Sequence, residues 1–134
     1  MARKRPIQMG TYVQREPRRL DIWLIVDRNP KHDGRVPNRQ FCDTVQGGTR
    51  TGIIVSNNKG NTHSPNVEVV FTTTAEKTDL PTHFKVNSTP EQSTVLCEEI
   101  DTVPKKNLIK YYGTLTKEEA EQLNDCLKVS LELA

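Results

Sequence analysis

The segment Gln46-Gly47-Gly48-Thr49-Arg50-Thr51-Gly52 is the part of this sequence best suited to chemistry, because it delivers one arginine between glycines to the start of an apolar run. Glycine allows a backbone to adopt positive φ and to approach a ligand closely. A guanidinium is permanently charged and its fork matches phosphate oxygens. The pattern predicts an arginine aimed at a phosphodiester, although a Gly-Gly turn before a strand is also an ordinary structural turn.

The histidines and cysteines form no pattern expected of a metal site or a disulfide framework. The histidines are His32, His63 and His83, without paired spacing, so we expect no metal ion and no cofactor. The cysteines are Cys42, Cys97 and Cys126, an odd number at wide spacings. Such spacing fits reduced thiols in a cytosol.

Length and composition predict one domain with a compact core and long polar loops. The chain has 134 residues and 34% apolar residues, and its mean hydropathy is −0.67. The longest apolar run, Ile22 to Val26, is far short of the roughly 20 residues of a membrane span. The N-terminus lacks the apolar segment of a secretory signal, so we expect a cytoplasmic protein with no membrane association.

The net charge of +2 is unevenly placed, with a basic cluster before the first predicted strand. The cluster comprises Arg3, Lys4, Arg5, Arg15, Arg18 and Arg19. It could hold nucleic acid phosphates. We favour a disordered solubilising tail, because Pro6, Gly10 and Pro17 interrupt any helix that would present these charges together. The predicted organisation is an arm over residues 1–19 and a single domain over residues 20–134.

Short segments rich in β-branched residues predict strands over residues 20–26, 51–56, 67–74, 82–86 and 94–102. The first of these ends in the turn Asp27-Arg28-Asn29-Pro30, and a turn is also predicted at Asn57-Asn58-Lys59-Gly60. Residues 28–46 form a polar loop longer than usual connections, which indicates a functional or mobile segment. Five or six strands with hairpin-length connections predict a small, strongly curved antiparallel sheet or barrel.

The end of the chain predicts an amphipathic helix over residues 117–132. Thr116-Lys117-Glu118-Glu119 is a capping box, in which the threonine and the glutamate satisfy each other's backbone amides. Apolar residues then recur at helical spacing at Ala120, Leu123, Leu127 and Leu131. The fold class is therefore mainly β with α, with this helix packed on the sheet.

Four segments in this order resemble one known family. They are Gly47-Gly48-Thr49-Arg50 with Ile53-Ile54-Val55-Ser56-Asn57, then Thr72-Thr73-Thr74, then Leu80-Pro81-Thr82-His83, and Val95 to Val103 continuing to Gly113-Thr114-Leu115. From Leu20 to Leu133 the sequence resembles the MazF/PemK toxins, the sequence-specific endoribonucleases of type II toxin–antitoxin pairs. The resemblance implies a small SH3-like barrel of the MazF and CcdB type with a C-terminal helix.

The resemblance also implies an activity and partners. The family cleaves RNA without metal, by attack of a ribose 2′-OH on the adjacent phosphorus, which leaves a cyclic phosphate and a 5′-hydroxyl. The preferred substrate should be single-stranded RNA, because an A-form duplex hides its base edges. A homodimer with RNA crossing a groove at its interface and a cognate MazE-like antitoxin are implied as well.

Site residues are carried over by position in the matching segments. Arg50 would stabilise charge on the phosphorane. Thr73 best matches the family's catalytic threonine, with Thr72 as the alternative because two alignments differ by one residue. The residues expected to contact RNA are Gln46, Gly47, Gly48, Ser56, Asn57, Thr72, His83, Glu98 and Glu99.

Several of these candidates have an equally good structural explanation. Ser56 and Asn57 could simply form a turn. His83 could contact RNA, move a proton or serve only structure. Glu98 could read a base edge or pair with a nearby cation. The sequence does not identify the base that deprotonates the 2′-OH.

The sequence departs from the family pattern in three places, and two other functions compete. Thr51 replaces the proline that usually follows the arginine in the family. The loop over residues 28–46 is longer than the corresponding family loop, and Glu98-Glu99 stands where the family frequently has Glu-Gln. One rival is a CcdB-like toxin that poisons DNA gyrase by protein binding, but the end Ser130-Leu131-Glu132-Leu133-Ala134 lacks the expected tryptophan. The other rival is a noncatalytic RNA-binding barrel.

Overall fold

The computed structural model describes residues 15–27 and 48–133. The predictions for Gln46, Gly47, Cys42, the whole loop 28–46 and the first 14 residues of the arm lie outside this range. The elements are β1 (Asp21–Val26), β2 (Thr49–Ile54), α1 (Asn58–His63), β3 (Asn66–Thr73), β4 (His83–Val86), β5 (Ser93–Pro104), a 3-10 turn (Lys105–Asn107), β6 (Leu108–Thr114) and α2 (Lys117–Leu131).

The strands form one antiparallel sheet in the order β4-β5-β3-β2-β1-β6. Register shifts between β1 and β6 and between β3 and β5 bend it, as bulges do. No ladder joins the edge strands β4 and β6 within residues 15–27 and 48–133. The predicted curved antiparallel sheet is confirmed, and because it is not closed within the described residues, the word barrel fits it only loosely.

Alternation along the strands separates two apolar clusters, one on each face of the sheet. The cluster under α2 contains Ile22, Ile53, Val70, Phe84, Val86, Val95, Cys97, Leu115, Leu123, Cys126 and Leu127. The opposite cluster contains Trp23, Ile25, Ile54, Val67, Val69, Phe71, Val103 and Leu108. Because successive side chains point to opposite faces, neighbouring residues of β1, β2 and β3 divide between the two clusters.

Helix α2 begins at the predicted capping box. The Thr116 hydroxyl accepts from the Glu119 amide at 3.2 Å, and the Glu119 carboxylate accepts from the Thr116 amide at 3.0 Å. Glu119 also accepts from the Asn87 amide at 2.9 Å and the Ser88 hydroxyl at 2.5 Å. The predicted burial of Leu131 against the sheet is wrong, because Leu131 lies in the last turn of α2 and is 52% exposed.

The final residues of the predicted arm lie against the domain. Arg15 pairs with the buried Asp21 at 3.1 Å and stacks 4.3 Å from the Tyr111 ring centroid. Arg19 donates to the Val55 carbonyl at 3.0 Å. These two arginines of the predicted arm are therefore used in the structure of the domain.

Two cysteines of the described chain are free thiols packed in the core between β5 and α2. Burial raises the pKa of Cys97 to about 12, and the nearby Cys126 thiol contributes to the same direction. Such a thiol stays protonated and unreactive at neutral pH. In residues 15–27 and 48–133, no helix has the length and apolarity needed to cross a membrane.

Candidate active site

Arg50 lies near the start of β2, on the face of the sheet that carries the second apolar cluster. Its guanidinium carbon is 4.7 Å from the centroid of the Phe71 ring, and its Nη2 donates to the Thr72 carbonyl at 3.4 Å. The side chain is 15% exposed. Gly52 follows on the same face, where an added Cβ would come within 2.8 Å of Ile25 Cδ1. The glycine thus serves close packing under the arginine.

The register of β2 against β3 places Arg50 beside Thr73. Gly52 pairs with Phe71, and extending that antiparallel register by two residues brings Arg50 opposite Thr73 on one face. Both residues line a cavity of about 430 Å³. The structure therefore brings together the two residues that the sequence predicted as catalytic.

Thr72 and Thr73 differ in how their hydroxyls are used. Thr72 is buried and its hydroxyl donates to the Thr51 carbonyl at 3.3 Å. Thr73 is half-buried, and its hydroxyl accepts from the Ala75 amide at 3.1 Å. A hydroxyl that accepts a hydrogen bond still has its proton to donate. The geometry therefore favours Thr73 over Thr72 as the group available to a ligand.

Two carboxylates flank the guanidinium. The Arg50 Nη1 atom lies 3.6 Å from a Glu99 oxygen and 3.9 Å from an Asp27 oxygen. Within the described residues, Arg50 Nη1 and the facing Glu99 oxygen are buried atoms with no hydrogen-bond partner. Buried polar atoms are nearly always bonded, so these two atoms are an exception that marks the pair as a candidate site. The single positive charge of the arginine faces two negative charges here, and its Nη1 atom is in a hydrogen bond with neither carboxylate.

Gly48 and the β5 strand explain how these carboxylates reach Arg50. The Gly48 carbonyl accepts from the Asp27 amide and so holds the end of β1 beside the start of β2. In the β3–β5 ladder, Val70 pairs with Ile100, but Thr72 already pairs with Val95. Residues 96–99 therefore bulge opposite Phe71 alone, and the bulge sends the Glu99 side chain toward Arg50.

The same bulge directs Glu98 to His83 instead. Their side chains meet at 2.9 Å, the other His83 nitrogen lies 3.0 Å from the Thr78 carbonyl, and Thr82 donates to Glu98 at 2.9 Å. One imidazole nitrogen faces the Glu98 carboxylate and the other faces a backbone carbonyl, so both ring nitrogens are engaged within the domain. Burial opposes the shift, but hydrogen bonds from His83 and Thr82 lower the pKa of Glu98.

His83 and Glu98 therefore contact each other at the edge of the sheet, and neither lines the Arg50 cavity. Their predicted contact with RNA gains no support from this placement. The pairing explanation weighed for Glu98 describes the observed contact, with a histidine as the partner in place of a lysine or arginine.

Ser56 and Asn57 lie beyond the far end of β2 from Arg50, so the structure does not bring them to the cavity. Asn57 caps α1 by accepting from the Gly60 amide at 2.7 Å. The Ser56 hydroxyl donates to the buried Asn61 side chain and accepts from the Glu68 amide. Their turn-forming explanation fits better than RNA contact, except that a helical turn stands where a simple turn was predicted.

A family model described as PemK-like, MazF-like toxin of type II toxin–antitoxin system matches residues 18–131. The chain belongs to this toxin family. That membership agrees with the resemblance read from the sequence and favours it over the gyrase-poison and noncatalytic alternatives.

Individual relatives of the toxin agree with this membership. It is 31% identical over 93 residues to the endoribonuclease MazF of Staphylococcus saprophyticus, covering 66% of this chain and 78% of that protein. A solved endoribonuclease in complex with its cognate antitoxin, from a mycobacterial species, has TM-score 0.68 and 26% identity and covers 88% of this chain and 97% of its own. A MazE–MazF crystal structure from Deinococcus radiodurans shares the fold at TM-score 0.67 and 10% identity, covering 90% and 100%.

One residue of the toxin's site was not singled out from the sequence. Asp27, read there only as part of a turn, is buried beside Arg50. The sequence signal that could have identified Asp27 was its position at the end of a buried strand. A buried carboxylate requires a hydrogen-bonding or charged partner, so such a position predicts a nearby cation. In residues 15–27 and 48–133, the histidine, cysteine and carboxylate side chains form no group that could hold a metal ion.

Proposed function

We propose that this MazF-like endoribonuclease toxin acts in the cytoplasm and cuts single-stranded RNA at specific sequences without a metal ion. The ribose 2′-OH attacks the adjacent phosphorus, and the products carry a 2′,3′-cyclic phosphate and a 5′-hydroxyl. The observation that carries the proposal is that Arg50 and Thr73 line one cavity.

Arg50 supplies the positive charge that the transition state needs. Negative charge accumulates on the phosphorane oxygens, and a preorganised cation in a partly buried site stabilises that charge more than water does. The Phe71 ring and the Thr72 carbonyl hold the guanidinium in place before substrate arrives. A guanidinium is too basic to give up a proton readily, so its contribution is electrostatic.

Thr73 holds a nonbridging phosphate oxygen. Its hydroxyl already accepts from the Ala75 amide at 3.1 Å, which leaves its own proton directed away from that amide. A phosphate oxygen in the cavity can accept that proton. Thr73 therefore positions the phosphorus relative to Arg50, which is one strand away on the same face.

We further propose that the toxin is a homodimer that a MazE-like antitoxin neutralises. One similar solved endoribonuclease is in complex with its cognate antitoxin. The toxin itself exposes apolar side chains at the end of α2, namely Val129, Leu131 and Leu133, which are 49%, 52% and 57% exposed. Clustered exposed apolar residues of this kind suit a protein interface.

The test is cleavage of a long single-stranded RNA by purified protein in EDTA, with sequencing of the 5′ ends. We expect discrete cuts that carry 5′-hydroxyls. Arg50→Ala should lower the rate about 100- to 1000-fold. Lys106→Ala is the control, because Lys106 is exposed and does not line the Arg50 cavity.

Other outcomes would redirect the proposal. RNA that is bound but intact would indicate a noncatalytic RNA-binding protein, and gyrase inhibition without RNA cleavage would indicate a CcdB-like activity. Retained cleavage by Arg50→Ala would remove Arg50 from the mechanism. Arg50→Lys separates charge from geometry, because it keeps a cation near the buried Asp27 but loses the guanidinium fork.

A further inference from the structure

A second cavity, of about 880 Å³, adjoins the Arg50 cavity. The two share Thr73, Thr74 and Ser93 as lining residues, so Thr73 stands at their junction. The larger cavity extends from this junction toward the segment 75–79 and the edge strand β4. Nothing in the proposed chemistry at Arg50 uses it.

The sheet register sets one lysine in line with the candidate catalytic residues. Thr94 of β5 pairs with Thr73 on one side and with Lys85 on the other. Paired residues share a face of the sheet, and neighbouring strands are about 4.8 Å apart. Arg50, Thr73, Thr94 and Lys85 therefore form a polar row across β2, β3, β5 and β4. Lys85 lies about 10 Å beyond Thr73 along this row.

The Lys85 ammonium is available to a ligand. The residue is exposed, and among the described residues it has no hydrogen bond or ion pair. Lysine is a flexible point charge that commonly binds phosphate. A phosphate next to the one held at Thr73 would meet this cation on the same face of the sheet.

The rest of the second cavity suits a base or a ribose. Its lining carries hydroxyls and one amide from Thr73, Thr74, Thr78, Ser93, Thr94 and Gln92. It also carries two acidic side chains, Glu76 and Asp79, and two lysines, Lys77 and Lys85. Hydroxyls and carboxylates bond base edges, and its volume falls within the range of ligand pockets. The two acidic and two basic side chains give the lining no net charge. We therefore expect it to suit a nucleotide, with its polar base and ribose, better than an isolated anion.

We infer that this second cavity is a subsite for the nucleotide adjacent to the scissile phosphate, with Lys85 binding the flanking phosphate. The inference rests on the proposed RNA cleavage at Arg50. With a phosphate at Thr73 and the next at Lys85, the RNA backbone would run along the polar row, which crosses the strands of the sheet. Lys85 is then a substrate-binding residue that raises affinity for RNA without taking part in the reaction.

The experiment compares Lys85→Gln with Lys106→Gln in the full-length protein. Lys106 is an exposed lysine in the 3-10 turn at the other end of β5 and lines neither cavity. For a long RNA we expect Lys85→Gln to raise KM about 10-fold with kcat unchanged. The slope of log KM against log salt should fall by about 0.7, the loss of one single-strand phosphate contact. Lys85→Arg should restore both values.

A modified substrate sharpens the result. In an RNA that keeps the recognised sequence but carries a neutral methylphosphonate in place of the flanking phosphate, Lys85→Gln and the parent protein should have equal KM values. The double variant Lys77→Gln/Lys85→Gln controls for compensation, because Lys77 lines the same cavity. Thermal unfolding of each variant checks that the fold is intact.

The failures of the two proposals are distinguishable. If the parent protein does not cut RNA, the proposed function fails. If the parent protein cuts and Arg50→Ala does not, but Lys85→Gln and the double variant match Lys106→Gln in KM and salt slope, the subsite is overturned alone. Weakened antitoxin binding with unchanged RNA kinetics would likewise overturn it in favour of an acidic peptide.

Discussion

The two ends of β2 use their polar residues in opposite ways. At the Arg50 end, a guanidinium nitrogen and a Glu99 oxygen lie buried 3.6 Å apart without a hydrogen-bond partner in the described chain. At the other end, the Asn61 side chain is fully buried and bonds Ser56 and Asn58, while Asn57 caps α1. Among the described residues, the Arg50 end therefore retains polar atoms without hydrogen bonds, whereas the polar side chains at the Asn61 end bond one another and the backbone.

Whether buried polar atoms are hydrogen-bonded distinguishes a candidate functional site from a purely structural region better than the residue types do. Both ends are polar, and both include a candidate for RNA contact, Glu99 at the first end and Ser56 and Asn57 at the second. Buried polar groups that satisfy one another stabilise a fold, whereas unsatisfied ones cost stability and persist where a ligand uses them. The contrast predicts that substitutions at the first end change activity and those at the second change stability.

After Arg50→Ala, the largest effect should come from Thr73→Val, which removes one hydroxyl beside Arg50 and keeps the β-branched shape. We expect kcat to fall about 100-fold, because a positioned donor to the phosphate is lost. Thr102→Val is the matched control, since Thr102 is an exposed residue of β5 whose hydroxyl donates to Glu68. Single-turnover cleavage measures both variants. If Thr72→Val loses the activity and Thr73→Val keeps it, the alternative alignment is correct.

The second effect tests the scaffold end through Asn61→Ala. The change removes hydrogen bonds to the Ser56 carbonyl at 2.9 Å and to Asn58 at 3.2 Å in a fully buried position. We expect a loss of about 2 kcal/mol in the free energy of unfolding, with cleavage per folded molecule unchanged. Urea unfolding gives the first quantity, and Asn66→Ala, at an exposed position, is the control. A fall in kcat would instead mean that this end contacts the substrate.

Local patterns explain why much of the fold was predictable. Alternation and β-branched content located five strands, and the capping box located the start of α2 at Lys117. Helix α1 was missed because its residues, including Gly60, are weak helix formers. Its stability comes from the Asn57 cap and the buried Asn61, and the second of these depends on tertiary packing that the sequence does not display.

The site was predictable only as far as the family motifs reach. They gave Arg50 and Thr73, which the structure places in one cavity. They did not give the pairing of Glu99 with Arg50 or the position of Lys85 in the polar row. Both follow from strand register and from the β5 bulge, which are set by contacts distant in sequence.

The third effect concerns Glu119, another buried polar group whose carboxylate oxygens both accept hydrogen bonds. Burial opposes the shift, but hydrogen bonds from Ser88, Thr116 and Asn87 lower its pKa. A lowered folded-state pKa contributes stability above the unfolded-state value of about 4.3, and this contribution is lost as pH falls through the folded-state pKa. Glu119→Gln should cost about 1 kcal/mol at pH 7 and less in acid. Thermal unfolding from pH 7 to 3 measures this, and an equal cost at every pH would contradict it.

The smallest effect should come from Glu99→Gln, which removes one of the two negative charges facing Arg50 and keeps the side-chain shape. The Glu99 side chain is 37% exposed, so solvent weakens its attraction to the guanidinium and its repulsion of RNA. We expect KM to fall about 5-fold at low salt, because the polyanion meets less negative charge. Glu118→Gln, on the exposed face of α2, is the control. A kcat lowered 100-fold or more would show instead that Glu99 takes the 2′-OH proton, and the unbonded pair at this end of β2 would then include the general base.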